Sequence, residues 1–214
     1  MKVFIFLADG FEEIEAIAAI DIFRRADIDV TTVSITKEKL VHGAHNITVM
    51  ADGLFEKTDF SESDLLYLPG GMPGTRNLDA HEGLKNLLLK QADENKKIAA
   101  ICAAPSILGK LGLLNGKEAI CFPGFENQLA GAILSKDKIV KSGKISTAKG
   151  AGVSIQFALK LVEELKGRKI SEKIAVAICV LLRMELTSLI KKELSRVREQ
   201  KKGICYIFLF YKKQ

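Results

Sequence analysis

Three short apolar runs stop abruptly at turn residues, and this pattern constrains the fold more than any other feature of the chain. Lys2–Ala8 (KVFIFLA) meets Asp9-Gly10, Leu65–Leu68 (LLYL) meets Pro69-Gly70-Gly71, and Ile98–Ile101 (IAAI) meets Cys102. None of them alternates apolar with polar residues, so each reads as a strand buried on both faces. Helical spacing fills the intervals. Glu12–Arg25 carries a stripe of Ile14, Ile17, Ala18 and Ile22, with acids leading and Arg24-Arg25 closing, which suits the helix dipole. Glu82–Asn95, Pro105–Leu111 and Val153–Leu165 also read as helices, the last entered through Gly150-Ala151-Gly152. Val30–Ile35, Ile47–Met50 (in a hairpin-prone stretch), Ala119–Phe122 and Ile145–Thr147 read as further strands. Strands alternating with helices of this length predict an α/β fold with a mostly parallel sheet covered on both faces.

Charge locates a second part of the chain. Of 32 Lys and Arg, nine lie in Leu181–Gln214, against three of the 26 Asp and Glu. Residues 1–180 keep 23 of each sign, so the net charge of +6 belongs to the tail. The expected organisation is one catalytic domain over 1–180 and a basic extension over 181–214. A helix N-capped by Ser171 is predicted to carry its stripe through Ile174, Ile178, Leu182, Leu186, Leu189, Leu194 and Val197. After Gly203 follows the apolar, β-prone Ile204–Tyr211. The basic face of such a helix suits an anionic surface or a partner. The blander reading, which we favour, is sequence translated past an ancestral stop or frameshift. Nucleic acid is not indicated as a partner of the neutral body.

No run approaches the ~20 apolar residues of a membrane span. Met1–Ala8 is too short for a signal peptide and lacks a cleavage site. A cytoplasmic location with reduced thiols is expected. Cys102, Cys121, Cys179 and Cys205 form no CxxC, His42, His45 and His81 form no HxxxH pair, and the phosphate-loop pattern fails around Gly116-Lys117. No metal and no cofactor are expected, and each histidine reads as an ordinary surface residue.

In open parallel sheets ligands bind beyond the carboxyl ends of the strands. Three turns fall there: Asp9–Glu15, Pro69–Gly74 and Cys102–Pro105. Cys102 stands between a strand and a helix, as in a nucleophile elbow without the flanking glycines. The helix N-terminus would favour its thiolate; the alternative is a buried structural cysteine. Gly70 and Gly71 offer backbone N–H groups that, with the amide of Ala103, suit a developing oxyanion; the alternative is a turn chosen for its backbone angles. Glu12, Glu13 and Glu15 open the first helix and suit its dipole. Glu15 lies one turn past Phe11, so it can face inward, where burial would raise its pKa.

Five segments together resemble the ThiJ/PfpI superfamily, in its deglycase and glyoxalase branch. They are ADGFEEIEAI (8–17), DIFRRADI (21–28), LLYLPGGMPGTRNL (65–78), KIAAICAAPSIL (97–108) and STAKGAGVSIQFAL (146–159), in family order over roughly 1–180. The resemblance implies a flavodoxin-like three-layer sandwich and a homodimer. It implies Cys102 as nucleophile, Glu15 as its carboxyl partner, and Gly71 and Ala103 as oxyanion amides. It also implies action on 2-oxoaldehydes such as methylglyoxal, or on their early adducts with protein or nucleotide, to give 2-hydroxy acids. Two alternatives remain at this stage: an oxidative-stress sensor or holdase working through oxidation of Cys102, and a cysteine hydrolase. Ala104 stands where this branch commonly has Gly, and Phe122 where a relative has a histidine near the cysteine. Peptidase-type relatives place a histidine at the position of Ala103, which disfavours the hydrolase. A chain ended at Val180 is expected to keep full turnover of methylglyoxal; a large loss in that assay would show that the tail contributes.

Overall fold

The computed structural model describes residues 1–180. The chain divides into two compact units, Met1–Ser171 and Glu172–Gln214. In chain order the described elements run β1 (Lys2–Leu7), α1 (Glu13–Arg25), β2 (Asp29–Ser34), β3 (Leu40–His42), β4 (Thr48–Met50), β5 (Gly53–Leu54) and β6 (Leu65–Leu68). They continue with α2 (Gly74–Ala80), α3 (Glu82–Asp93), β7 (Lys97–Ile101), α4 (Pro105–Lys110) and β8 (Glu118–Ala119). The last elements are β9 (Ile133–Leu134), β10 (Ile139–Ser142), β11 (Ile145–Ala148), α5 (Ser154–Lys166) and α6 (Arg168–Ala177). Among the described residues, seven strands form the central sheet in the order β10-β11-β7-β6-β1-β2-β5. All its neighbours pair in parallel except β10 with β11.

The unbroken apolar runs are explained by the helices on both faces. Period-two alternation sends Phe4, Phe6 and Ala8 to one face, where they join Leu66, Leu68, Ile98 and Ala100 under Leu78, Leu88 and Ile107 of α2, α3 and α4. The opposite face meets α1 and α5. There Tyr67 of β6 lies between Phe23 of α1 and Phe157 of α5, with ring centroids 6.1 and 6.0 Å away. All three rings are fully buried. The expected α/β sandwich with a mostly parallel sheet is therefore the fold observed.

Four local expectations differ. The stripe expected on α1 is only partly its buried face: Ile22 is buried, but Ile14 and Ile17 are 58% and 41% exposed. Glu13, Glu15, Ala16, Ala19, Ile20 and Phe23 point inward with Ile22, because two carboxylates find polar partners inside. The expected strand over Ala119–Phe122 shrinks to β8, which pairs with β9 in a separate two-stranded sheet. Beyond it, the Ile120 N–H donates to Thr147 Oγ1 (3.0 Å) and the Phe122 N–H to the Cys102 carbonyl (2.7 Å), so no ladder can form. Ser171 does not cap the last helix. α6 starts at Arg168, directly after Gly167 turns the chain at φ +88°, and Ser171 Oγ donates to the Leu159 carbonyl (2.8 Å). The helix also stops at Ala177 instead of continuing through Ile178. Cys179 enters the left-handed region at φ +58°, and the Val180 N–H closes back on the Ala175 carbonyl (2.9 Å). The rest of that predicted stripe, the basic extension and Ile204–Tyr211 lie outside the described residues.

The turn after β1 and the turn after β6 interlock. Gly10 sits at φ +84°, and a Cβ there would stand 2.4 Å from Pro73 Cδ. Gly71 sits at φ +92°, and a Cβ there would stand 2.3 Å from the Glu12 nitrogen. The Glu12 N–H donates to the Gly70 carbonyl (2.9 Å) across the same seam. Gly10→Ala should therefore cost more than about 2 kcal/mol, through a left-handed backbone and a backbone collision together. Urea unfolding with an unchanged m-value would measure it.

Candidate active site

The seam of interlocked turns lies beyond the carboxyl ends of β1, β6 and β7, and it brings the sequence-selected residues together. Glu15 is in the first turn of α1 and fully buried. Its Oε2 accepts a hydrogen bond from the Gly70 N–H at 2.7 Å. Its backbone carbonyl accepts one from the Tyr67 hydroxyl at 3.1 Å, which ties α1 to β6. Cys102 directly follows β7 and sits at φ +62°, a conformation that costs a non-glycine residue roughly 1–3 kcal/mol. Backbone bonds on both sides hold it there: its N–H donates to the Ala148 carbonyl (2.9 Å), and its carbonyl accepts from Phe122. The strained turn aims the side chain back over the β6 turn. A Cβ placed on Gly70 would lie 2.7 Å from Cys102 Cβ and 2.8 Å from Glu15 Oε2. Only a residue without a side chain leaves sulfur and carboxyl facing each other.

Burial pushes the Glu15 carboxyl up to about 7. The Gly70 amide and the neighbouring Cys102 pull it down, and the Glu12 charge adds a rise. The other carboxylate oxygen, Oε1, is buried and has no regular hydrogen bond among the described residues. Carboxyl and thiol nevertheless couple as a hydrogen-bonding pair within the shared pocket, which lowers the carboxyl pKa and raises that of the thiol. Burial also pushes the Cys102 thiol up, to about 12, and the Glu15 charge reinforces the shift. The amides of Ala103 and Gly71 hydrogen-bond the sulfur and oppose it. The Ala103 amide at the start of α4 acts in the direction expected of a helix N-terminus, and burial with the Glu15 charge acts against it. α4 has only six residues, and burial next to a carboxylate outweighs two amides. Thiol and carboxyl form one coupled pair in which burial favours the neutral form of each.

Two further residues border the sulfur. A Cβ on Gly150 would stand 3.9 Å from Cys102 Sγ and 3.3 Å from the Phe122 ring. Gly150, Phe122, Lys138, Lys149 and Val153 line a cavity of about 460 Å³ next to the thiol. Phe122 is 47% exposed and forms one wall. Sequence reasoning treated Gly150 only as a helix entry. What could have identified it is its place in the turn after β11, a strand adjacent to β7.

The other acids and the histidines do different work. Glu13 is buried and accepts from the His45 N–H (2.6 Å) and from His45 Nδ1 (2.8 Å), which clips the β3–β4 hairpin to α1. Its hydrogen bonds hold its pKa low against the opposing effect of burial, and those carboxylates raise that of His45. Glu12 joins them, so ligand-type atoms of Glu12, Glu13 and His45 lie within 4.8 Å of one another, although the linear spacing gave no hint of the cluster. His42 Nδ1 pairs with Thr48 Oγ1 (2.9 Å). His81 caps α3 by accepting from the Leu84 N–H (3.0 Å). None of the three faces Cys102 as a base.

Residues 1–164 match the model of the DJ-1/PfpI family. The protein DJ-1 homolog B of Arabidopsis thaliana is 39% identical over 170 residues, which are 78% of this chain and 39% of that protein. The chain thus spans well under half the length of that plant relative. A protein of Pyrococcus abyssi named as a deglycase is 33% identical over 132 residues, 62% of this chain and 78% of the relative. The solved structure of oxidized Toxoplasma gondii DJ-1 superposes with a TM-score of 0.82 at 34% identity, covering 85% of this chain and 99% of the other.

The coupling between Glu15 and Cys102 has a measurable sign. Removing the carboxylate in Glu15→Gln should lower the thiol pKa and speed alkylation by iodoacetamide at pH 8 about tenfold. The folded pKa of Glu15 is raised, so its ionisation costs stability as pH rises through about 7. The same variant should therefore be more stable than wild type at pH 8, by about 3 kcal/mol, and gain nothing at pH 4.

Proposed function

This chain belongs to the DJ-1/PfpI family, and on that premise we propose that it is a cysteine-dependent glyoxalase or deglycase. Its substrates would be small 2-oxoaldehydes such as methylglyoxal, or their early adducts on protein or nucleotide. The observation that carries the reading is the fully buried Glu15 carboxyl, held by the Gly70 amide and set against Cys102 across a turn that only glycine leaves open. The relative named as a deglycase supports the same class of activity.

Cys102 attacks the aldehyde carbon as Glu15 takes the thiol proton. The carbonyl oxygen gains negative charge beside the amides of Ala103 and Gly71 and is then protonated. Two preorganised donors of this kind are each typically worth about 10²–10³ in rate. Glu15 next removes the hydrogen from the former aldehyde carbon, and an enediol forms. Returning that proton to the adjacent carbon leaves a thioester. Water cleaves the carbon–sulfur bond, releases the 2-hydroxy acid and restores the thiol. For a glycated amine or thiol, the same addition draws on the free carbonyl adduct. No step calls for a metal or a cofactor.

As proposed, the enzyme works in the cytoplasm as a homodimer. Ile14 and Ile17 of α1, with Ile47 and Met50 of the hairpin, are exposed apolar side chains on elements that Glu13 and His45 join. They supply a surface for a second copy.

A second reading has one observation in its favour: a solved relative is described as oxidized. The Cys102 sulfur is only partly buried, so peroxide can reach it and convert thiol to sulfenate and then sulfinate, releasing water at each step. The deciding experiment measures lactate from methylglyoxal for wild type, Cys102→Ser and Glu15→Gln at equal protein. We expect loss of at least about 10²-fold in both variants, and a wild-type rate that rises with pH through about 7 as Glu15 ionises. Full activity in Cys102→Ser would sink the enzyme assignment. A wild type that turns nothing over, yet suppresses aggregation after peroxide treatment, would establish the sensor reading instead.

A further inference from the structure

A second cavity, of about 650 Å³, opens at the amino-terminal end of the sheet and is separate from the cysteine site. Ile98 at the foot of β7 lines it, while Cys102 lies beyond the top of that strand, about 13 Å away along the chain. Its wall is basic. Lys96, Lys97, Lys117, Lys141 and Lys144 line it with a single carboxylate, Glu164. These lysines come from three separate stretches of chain, in a body with 23 positive and 23 negative side chains. The convergence is therefore not the average character of the surface.

Two of the five are already engaged. Lys96 pairs with Glu94 (2.7 Å) and donates to the Ser61 carbonyl (3.1 Å). Lys141 pairs with Glu164 (3.2 Å), which is only 6% exposed and also accepts from Ser146 Oγ (3.3 Å). Lys97, Lys117 and Lys144 form no ion pair among the described residues and are left to face the cavity. The remaining wall is mixed: Asn95 and Asn115 bring side-chain amides, Ala92 and Leu113 are partly exposed, and Ile98 and Ile145 at the feet of β7 and β11 are buried beneath. Three uncompensated cations next to two amides and the side chain of Leu113 suit a ligand with three or four negative charges at one end and a flat ring that carries hydrogen-bonding groups at the other. The volume lies within the usual range of small-molecule sites, about 300–1,000 Å³.

We propose that this cavity binds a nucleoside di- or triphosphate, with the phosphates on Lys97, Lys117 and Lys144 and the base beside Leu113, Asn95 and Asn115. The site is independent of the cysteine chemistry.

The test is calorimetric titration of the full chain with ATP, ADP, AMP and inorganic tripolyphosphate at about 150 mM salt, where loose surface attraction is screened. ATP and ADP should bind saturably with Kd below about 1 mM, and AMP and tripolyphosphate at least several-fold more weakly. The triple variant Lys97→Gln, Lys117→Gln, Lys144→Gln should weaken ATP at least about tenfold, with unchanged circular dichroism. Lys144→Gln alone, in an exposed turn, should weaken it measurably without touching the fold. Three results would overturn the proposal: no saturable ATP binding by wild type, undiminished binding by the triple variant, or tripolyphosphate binding as tight as that of ATP. The second would place the nucleotide on the basic tail or beside Lys138 and Lys149. The third would reduce the site to a general attraction for anions. Methylglyoxal turnover by the triple variant is a separate readout, so loss of nucleotide binding and loss of the cysteine chemistry can be told apart.

Discussion

The hydrogen bond from the Gly70 N–H to the Glu15 carboxyl, 2.7 Å long and out of reach of water, is the contact on which the site depends. A buried carboxyl without a donor is costly, and this donor comes from a turn 55 residues away. The bond therefore fixes the first turn of α1 against the end of β6. Glycines make that approach possible, since a side chain at Gly70 would occupy the space between carboxyl and sulfur. The same bond limits how far burial raises the Glu15 pKa. Structure and acidity are set by one contact: without the amide, the carboxyl would be neutral well above pH 7 and of little use as a base.

The sheet order follows from the unbroken apolar runs at β1, β6 and β7, because a strand covered on both faces can be apolar throughout. The candidate site was legible for a related reason. Ligand-facing turns follow such strands, and Cys102, Gly70, Gly71 and Glu15 stand in or beside those turns. What could not be read depended on partners distant in sequence. Glu13 looked like an exposed dipole complement, but His45 draws it inside. Ile14 and Ile17 counted as core on spacing alone, while their helix buries the face that holds two carboxylates. Ile120 and Phe122 have strand-like side chains, yet their N–H groups go to Thr147 and Cys102. A local rule about helix termini likewise carries no information about Glu15, which joins the pocket only after folding and pushes the thiol pKa up.

The molecule also separates its two ends. Beyond the carboxyl ends of the strands, burial and glycine turns concentrate the titratable chemistry. At the amino ends, lysines from three stretches collect around a cavity. A parallel sheet makes this division natural, since all its strands begin on one side and finish on the other. The overall charge of the chain conceals both features, because its surplus lies in the tail.

The interlock of Gly10 with Pro73 and of Gly71 with Glu12 has a consequence for the chain during synthesis. The two turns are separated by about sixty residues, and closing so long a loop precedes any reward from the contact. Until α1 and β6 have both docked, Cys102 has neither its carboxylate neighbour nor its burial. The newly made chain then carries a thiol of ordinary acidity, near 8.5, far below the value of about 12 in the folded protein. Folding thus quiets this cysteine toward general electrophiles and reserves its reactivity for molecules that enter beside Glu15. A chain delayed on its way to the native state is the form most exposed to chance modification at this sulfur.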